Sequence, residues 1–369
     1  MQPRSDDTEQ EHVATGGRDK PIACWRRALL LTVIVILTPI YSIFYTDIHV
    51  FPAAETPLGY GEQAVLPDAL VYLDMYDGKP APAPYRYRVL TVYLARLLPA
   101  LPPSMFSELR KVTPEWQKQI HFGIVNLVFL CAAGVALFYY LVELTFTFIE
   151  SLLGVVLFLG CKPVVQTAGL PLVDASAYFF LVLGFLAIAR RDAGLLAVTL
   201  LVGAFAKETV FLLAVPVVLA SCAWRERVRM TVAFVPAAVI YGTFRILLAY
   251  AYRRPGLGLE FTWEPLELIE SLFRFNRFVD LASSFSSLWI LAFVGLGSSG
   301  TPAEPKRAIW FAAVIFALIL VSGSNLGRIM VLAFPVIIPL TLFGLRSLAM
   351  RLGIDYPGVV QVFSAPETS

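Results

Sequence analysis

Residues Ile120–Leu141 read IHFGIVNLVFLCAAGVALFYYL, an apolar run without a single Asp, Glu, Lys or Arg. A helix needs about 20 such residues to cross roughly 30 Å of hydrocarbon, and this run supplies them. The polar/apolar alternation of a barrel strand is missing from it. In lipid each backbone group must find its partner within the element or a closed barrel, so a run of this kind reads as a spanning helix.

Comparable runs lie on both sides. Spans are expected near Ala28–Phe44, Phe146–Val165, Leu172–Ala189, Ala193–Ala206, Thr209–Trp224, Thr231–Ala249, Ser286–Gly297, Ile309–Val321 and Ile329–Met350. The composition agrees: 58% of the 369 residues are hydrophobic, 15% are charged, and the mean hydropathy is +0.72. A soluble domain carries about 25% charged residues, so this chain is poor in them. The fold class expected is an all-α integral membrane protein, a polytopic bundle of about ten transmembrane helices. Crossings within Ala193–Trp224 would be short, and a re-entrant pair is the alternative there.

Domain organisation follows from the same pattern. Residues 1–27 are polar, mix both signs of charge and contain Gly16-Gly17, as a disordered cytoplasmic tail would. Residues 28–350 form the transmembrane domain and 351–369 a cytoplasmic C-terminal tail. The first apolar run starts late and lacks a small-residue cleavage pattern, so it reads as a retained span. Lys and Arg in short loops favour the cytoplasmic side. Arg26-Arg27 place the N-terminus inside, and Arg190-Arg191, Arg225, Arg227, Arg229, Lys306-Arg307 and Arg351 then fall inside as well. Two long segments, 45–119 and 250–285, face outward. The first contains an amphipathic run, Val89–Leu101, suited to lying along the outer membrane surface.

Several function classes drop out. A net charge of +2 with no dense basic tract argues against nucleic acid as a partner. Cys24, Cys131, Cys161 and Cys222 lack metal-ligand spacing and suggest no disulfide framework. His12, His49 and His121 are too scattered for a zinc site, and no metal is expected. No P-loop, dinucleotide fingerprint or Ser/His/Asp arrangement is present.

What remains is a set of polar residues at outer helix ends. Pro67-Asp68 begins a helix, with Asp68 and Tyr72 sharing one face at i and i+4. Asp68 could instead simply complement the helix dipole. Downstream, Pro84-Tyr-Arg86-Tyr-Arg88 interleaves tyrosines with arginines, which suits an anionic group and a sugar ring. Anchoring to lipid headgroups is the plainer role for Arg86 and Arg88. Lys207-Glu208 sits between two apolar stretches, where ionisable residues are costly and commonly paired. A structural ion pair is the plainer role there. Ser322-Gly-Ser-Asn325-Leu-Gly-Arg328 opens the final span, placing Arg328 and Asn325 beside a helix start, where snorkelling is the competing explanation. Asp174 and Arg245 add polar groups near the same face. Asp68, Lys207 and Arg328 are expected to line one cavity at the outer boundary.

At these residues the sequence resembles the GT-C superfamily of membrane glycosyltransferases. The resemblance rests on Asp68-Ala-Leu-Val-Tyr-Leu-Asp74-Met-Tyr-Asp77-Gly78 followed by Pro84-Tyr-Arg-Tyr-Arg-Val-Leu90. It implies a GT-C-like bundle with amphipathic helices in the first outer loop, Asp68 as catalytic base, and Arg328 or Lys207 as donor-phosphate ligands. Many members carry adjacent acids in that loop, whereas Ala69 follows Asp68 here, so Asp47 is a rival base. Members differ in metal use, so a divalent metal is left open although none is expected.

The expected function is transfer of a sugar from a polyprenyl-phosphate donor to an acceptor hydroxyl of a glycan, lipid or protein, with inversion. Membrane lipid is the other expected partner. The bacterial inner membrane, with an extracytoplasmic site, is the expected location. A transporter or flippase for a lipid-linked sugar, or a non-catalytic envelope-assembly protein, are the alternatives.

Overall fold

The computed structural model describes residues 20–50, 67–100, 114–220, 223–251, 279, 281–322 and 326–354. Every regular element among them is helical. Three helices, Gln117–Glu143, Trp224–Ala251 and Gly327–Arg351, are long and apolar enough to cross a membrane. Six shorter apolar stretches of helix, Arg27–Ser42 among them, run 10–17 residues. At 1.5 Å per residue, even 14 residues extend only about 21 Å, less than the hydrocarbon core.

Helix α1 is Lys20–Val50. It therefore begins within the expected tail and continues past the expected end of the first span. Most of the tail (1–19), the larger part of the 250–285 segment, and the C-terminal residues beyond 354 lie outside the described residues. Helix α2 (Pro67–Tyr76), a 3₁₀ turn (Tyr85–Tyr87) and α3 (Val89–Leu97) follow. Of the amphipathic run, α3 buries Thr91, Val92 and Ala95 and exposes Tyr93 and Leu97. Helix α4 is Pro114–Glu143.

The expected span 146–165 is two helices, α5 (Phe148–Leu159) and α6 (Lys162–Thr167), parted at Gly160-Cys161. Pro163 explains the break, because it has no N–H and its ring collides with the carbonyl four residues earlier. Helices α7 (Asp174–Ala189) and α8 (Ala193–Ala206) come next. The expected span 209–224 is a 3₁₀ helix, Glu208–Leu213, leading into α9, Ala214–Leu219. Pro216 disrupts α-helical bonding there for the same reason. Then come α10 (Trp224–Val232), α11 (Phe234–Ala251), α12 (Leu288–Gly297), α13 (Ala303–Arg307) and α14 (Ile309–Ser322). The last expected span is α15 (Leu326–Met330), a 3₁₀ turn (Val331–Ala333) and α16 (Phe334–Arg351). Pro335 sits just inside α16, at the N-terminal turn that tolerates it.

Side-chain pairs mark the two ends of the bundle. At one end Arg190 meets Glu143, Arg191 meets Glu226, and Arg346 pairs with both oxygens of Glu150 at 2.5 and 2.7 Å. Glu150 also accepts the backbone N–H of Thr147, closing a capping box at the start of α5. The other end carries Asp68, Lys207 and Arg328. Between the ends a continuous apolar core runs through α4, α5, α7, α8 and α16, with Phe158 stacked on Phe334 at 4.0 Å.

Helices α12 and α16 cross at backbone contact. A Cβ on Gly295 would fall 2.0 Å from the Leu340 carbonyl oxygen, and one on Gly344 equally near that of Leu291. Small residues permit such an approach, the usual way helices lock together in lipid.

Candidate functional site

A second, smaller apolar cluster builds the Asp68 end. Ala69, Tyr72 and Leu73 of α2 pack with Val92 and Ala95 of α3, Phe122 and Val125 of α4, and the turn Leu170, Leu172, Val173. Asn126, buried on α4, donates to the carbonyls of Ala168 and Leu170 at 3.3 and 2.8 Å and pins that turn. The turn delivers Asp174 as the first residue of α7. Thr91 and Ser176 hydroxyls meet at 2.8 Å, tying α3 to α7. The apolar packing thus fixes Asp68, Tyr72 and Asp174 near one another.

The charged side chains form one chain of contacts. Arg328 Nη1 lies 2.9 Å from Asp68 Oδ2, and its Nε lies 2.5 Å from Asp174 Oδ2. Lys207 Nζ donates to Asp174 Oδ1 at 2.7 Å. Arg88 grips Glu208 with two nitrogens, Nε at 3.0 Å, and donates from Nη1 to the Tyr72 hydroxyl at 3.3 Å. The Tyr85 hydroxyl donates to Asp68 Oδ1 at 2.5 Å, and its ring meets Tyr72 edge-on at 5.6 Å. Residues from five separate stretches of chain take part.

Three carboxylates therefore face three cations. Buried charges left without partners cost several kcal/mol each, so mutual pairing is the stable arrangement. A cavity lined by Asp68, Lys207 and Arg328 was expected. In the structure Asp68 and Arg328 contact each other directly, and Lys207 reaches them through Asp174. Depth separates the carboxylates: the Asp174 side chain is 1% exposed, whereas Asp68 and Glu208 are 25% and 29% exposed. The two shallower acids are the ones a solute can reach.

The tyrosines stay protonated here. Burial pushes the Tyr72 phenol up to about 12, opposed by Arg88. Burial and the bond to the Asp68 carboxylate likewise raise Tyr85. Both act as hydrogen-bonding hydroxyls at neutral pH.

Of the residues singled out by sequence, Asp68, Tyr72, Arg88, Lys207, Glu208 and Arg328 share this network. Arg86 turns elsewhere. It is buried, its Nη2 donates to the Tyr87 hydroxyl at 2.9 Å, and the same Tyr87 ring carries Arg245 at 4.3 Å. Asp47 lies on α1, but its side chain, like the whole of Asn325, falls outside the described residues. Two members were missed as site residues. Asp174 had been noted only as a nearby polar group, and Tyr85 only as part of a motif. The signal for Asp174 is its place as an acid opening an apolar helix near the same face as Lys207 and Arg328. Among the described residues no three His, Cys, Asp or Glu side chains gather as a metal site requires.

Chemically, the cluster combines a reachable carboxylate with fixed cations at the end of an apolar bundle. Such a group can accept a proton beside an anion whose charge is growing. Comparison with protein-family models, with curated proteins and with solved structures finds no match for this chain.

Proposed function

We propose that this protein is a GT-C-like membrane glycosyltransferase that uses a polyprenyl-phosphate sugar. The observation that carries the reading is the contact of Asp68 with Arg328, itself coupled through Asp174 to Lys207. The donor's lipid lies in the bilayer and its phosphodiester among Arg328 and Lys207. The acceptor hydroxyl gives its proton to Asp68 as its oxygen bonds to the anomeric carbon. The bond from that carbon to the phosphate oxygen breaks, its electron pair leaves with polyprenyl phosphate, and the cations stabilise the added charge. One displacement inverts the anomeric centre. The proposal includes about ten crossings, some of them short, a cytoplasmic N-terminus, and an extracytoplasmic site in a bacterial inner membrane.

The broken helices favour a second reading. The chain changes helix type at Glu208 and again just after Arg328, and discontinuous helices beside charged residues are a habit of transporters. A flippase for a lipid-linked sugar would use the same cations. Its charges belong near the midplane, however, whereas these gather at one end of the bundle.

The deciding experiment reconstitutes the full chain with labelled polyprenyl-phosphate sugar and cell-envelope acceptors. Asp68→Asn is expected to abolish transfer, and Asp47→Asn to leave it intact. Undiminished transfer by both variants defeats the mechanism. Movement of labelled donor across the vesicle without transfer establishes the flippase instead.

A further inference from the structure

We infer that Asp174 is a positioning residue, the fixed anchor that holds Arg328 while its outer nitrogen passes from Asp68 to the anionic donor. The inference rests on the transferase reading and deepens it.

The Arg328 guanidinium bridges two carboxylates of unequal depth. Its Nε faces Asp174, which is buried and also holds Lys207. Its Nη1 faces Asp68, which is partly open to solvent and sits on a ten-residue helix. Opening the fully buried Asp174 pair would leave an uncompensated charge at high cost, whereas the Asp68 carboxylate, 25% exposed, recovers part of its hydration when its pair opens. When an anion competes for the guanidinium, the Asp68 contact is the one that exchanges. Asp174 keeps both cations where they are, and no long side chain has to be reordered.

A chemical consequence follows. Asp68 Oδ1 accepts from Tyr85, and Oδ2 is covered by Arg328. A phosphate that draws Nη1 away uncovers Oδ2, giving a carboxylate oxygen able to receive a proton. Donor binding and exposure of the base become one event. The acceptor is therefore deprotonated only on a loaded enzyme, because Arg328 covers Oδ2 beforehand.

The test labels carboxylates of the full-length protein in nanodiscs with a water-soluble carbodiimide and an amine, read by peptide mass spectrometry. The probe is a polyprenyl monophosphate. In the wild type, labelling of Asp68 should rise several-fold with the probe while Asp174 stays unlabelled. Labelling that falls or does not change overturns the inference. Asp174→Asn should lose this response and raise the donor KM by about 10–100-fold, the scale for residues that orient a direct ligand. The acceptor KM should hold, and Asp174→Glu should restore part of the loss. If Asp174→Asn instead lowers kcat alone and keeps the labelling response, the residue is merely structural, and the inference fails. Should Asp174→Asn not fold, Arg328→Met decides. With no cation over Oδ2, Asp68 should label strongly without the probe, and weak labelling there refutes the exchange. The labelling outcomes need no transfer, whereas the KM and kcat readings do, so the inference and the transferase reading can fail separately.

Discussion

Gly344→Ala asks whether the crossing of α12 and α16 sets the position of Arg328. The new Cβ would lie 2.0 Å from the Leu291 carbonyl oxygen and 2.9 Å from its carbon, where ordinary contact begins at 3.4 Å. Backbone atoms cannot rotate aside, so the helices must part by roughly 1.4 Å at this point. Overpacking of that kind costs about 1–3 kcal/mol. Gly295→Ala meets the Leu340 oxygen at the same distance and should cost a similar amount. The double variant should cost less than the sum, because a crossing already opened for one methyl has room for the other. Helix α16 is joined to Arg328 by a single 3₁₀ turn, so the displacement reaches the site. A misplacement of about 1 Å can lower turnover as much as 100-fold. Thermal unfolding in nanodiscs, followed by tryptophan fluorescence, measures the first effect, and donor turnover the second. Gly242→Ala is the control, since nothing lies within 4 Å of its Cβ and alanine favours the helix by about 1 kcal/mol. If Gly344→Ala unfolds no earlier than the wild type, as the control should, the helices do not approach as described.

Other perturbations reach different parts of the molecule. Arg346→Met should destabilise by about 3–5 kcal/mol, since it strands the buried Glu150, and Glu150→Gln by less, since Arg346 is partly exposed; the double variant should recover much of the loss. Strict additivity in a denaturation cycle would disprove the coupling. Tyr85→Phe removes the hydroxyl from Asp68, and a hydrogen bond to a charged group is worth about 1.5–3 kcal/mol, so the melting temperature should drop, and transfer should fall about tenfold or more as the carboxylate loses its orientation. Unaltered transfer would show that Tyr85 does not orient the carboxylate. Alkaline pH tests Tyr72. Its phenol moves from 10.0 in the unfolded chain to about 12 in the fold, so the folded state holds the proton more tightly. This contribution to stability is complete below pH 10 and is lost as pH climbs from 10 toward about 12. Melting curves across that window should fall less steeply for Tyr72→Phe, and equal slopes would argue against the shift.

The length and apolarity of Gln117–Glu143 were legible because an unbroken apolar run has few other uses. Where an expected span is interrupted, proline decides: Pro163, Pro216 and Pro335 sit at or beside breaks that a hydropathy average passes over. The grouping of Asp68, Lys207, Glu208 and Arg328 at one end followed from counting crossings, and the structure places them together. Which acid pairs with which cation was not legible. Asp174 opens an apolar helix, a place where an acid is ordinary, and nothing local says that it holds two cations from distant segments. Arg86 and Arg88 look equivalent in sequence, yet they part because a 3₁₀ turn sends one side chain toward Tyr87 and the other toward Glu208.

The bridge from Arg328 to Asp68 also dictates an order of assembly. Asp174 and Lys207 lie on neighbouring helices and can meet early in synthesis, whereas Arg328 leaves the ribosome only when the last helix is near completion. Until then Asp68 lacks the guanidinium that pairs with it in the folded chain. The segment carrying Arg328 thus completes the balance: with it in place each of the three acids meets a cation.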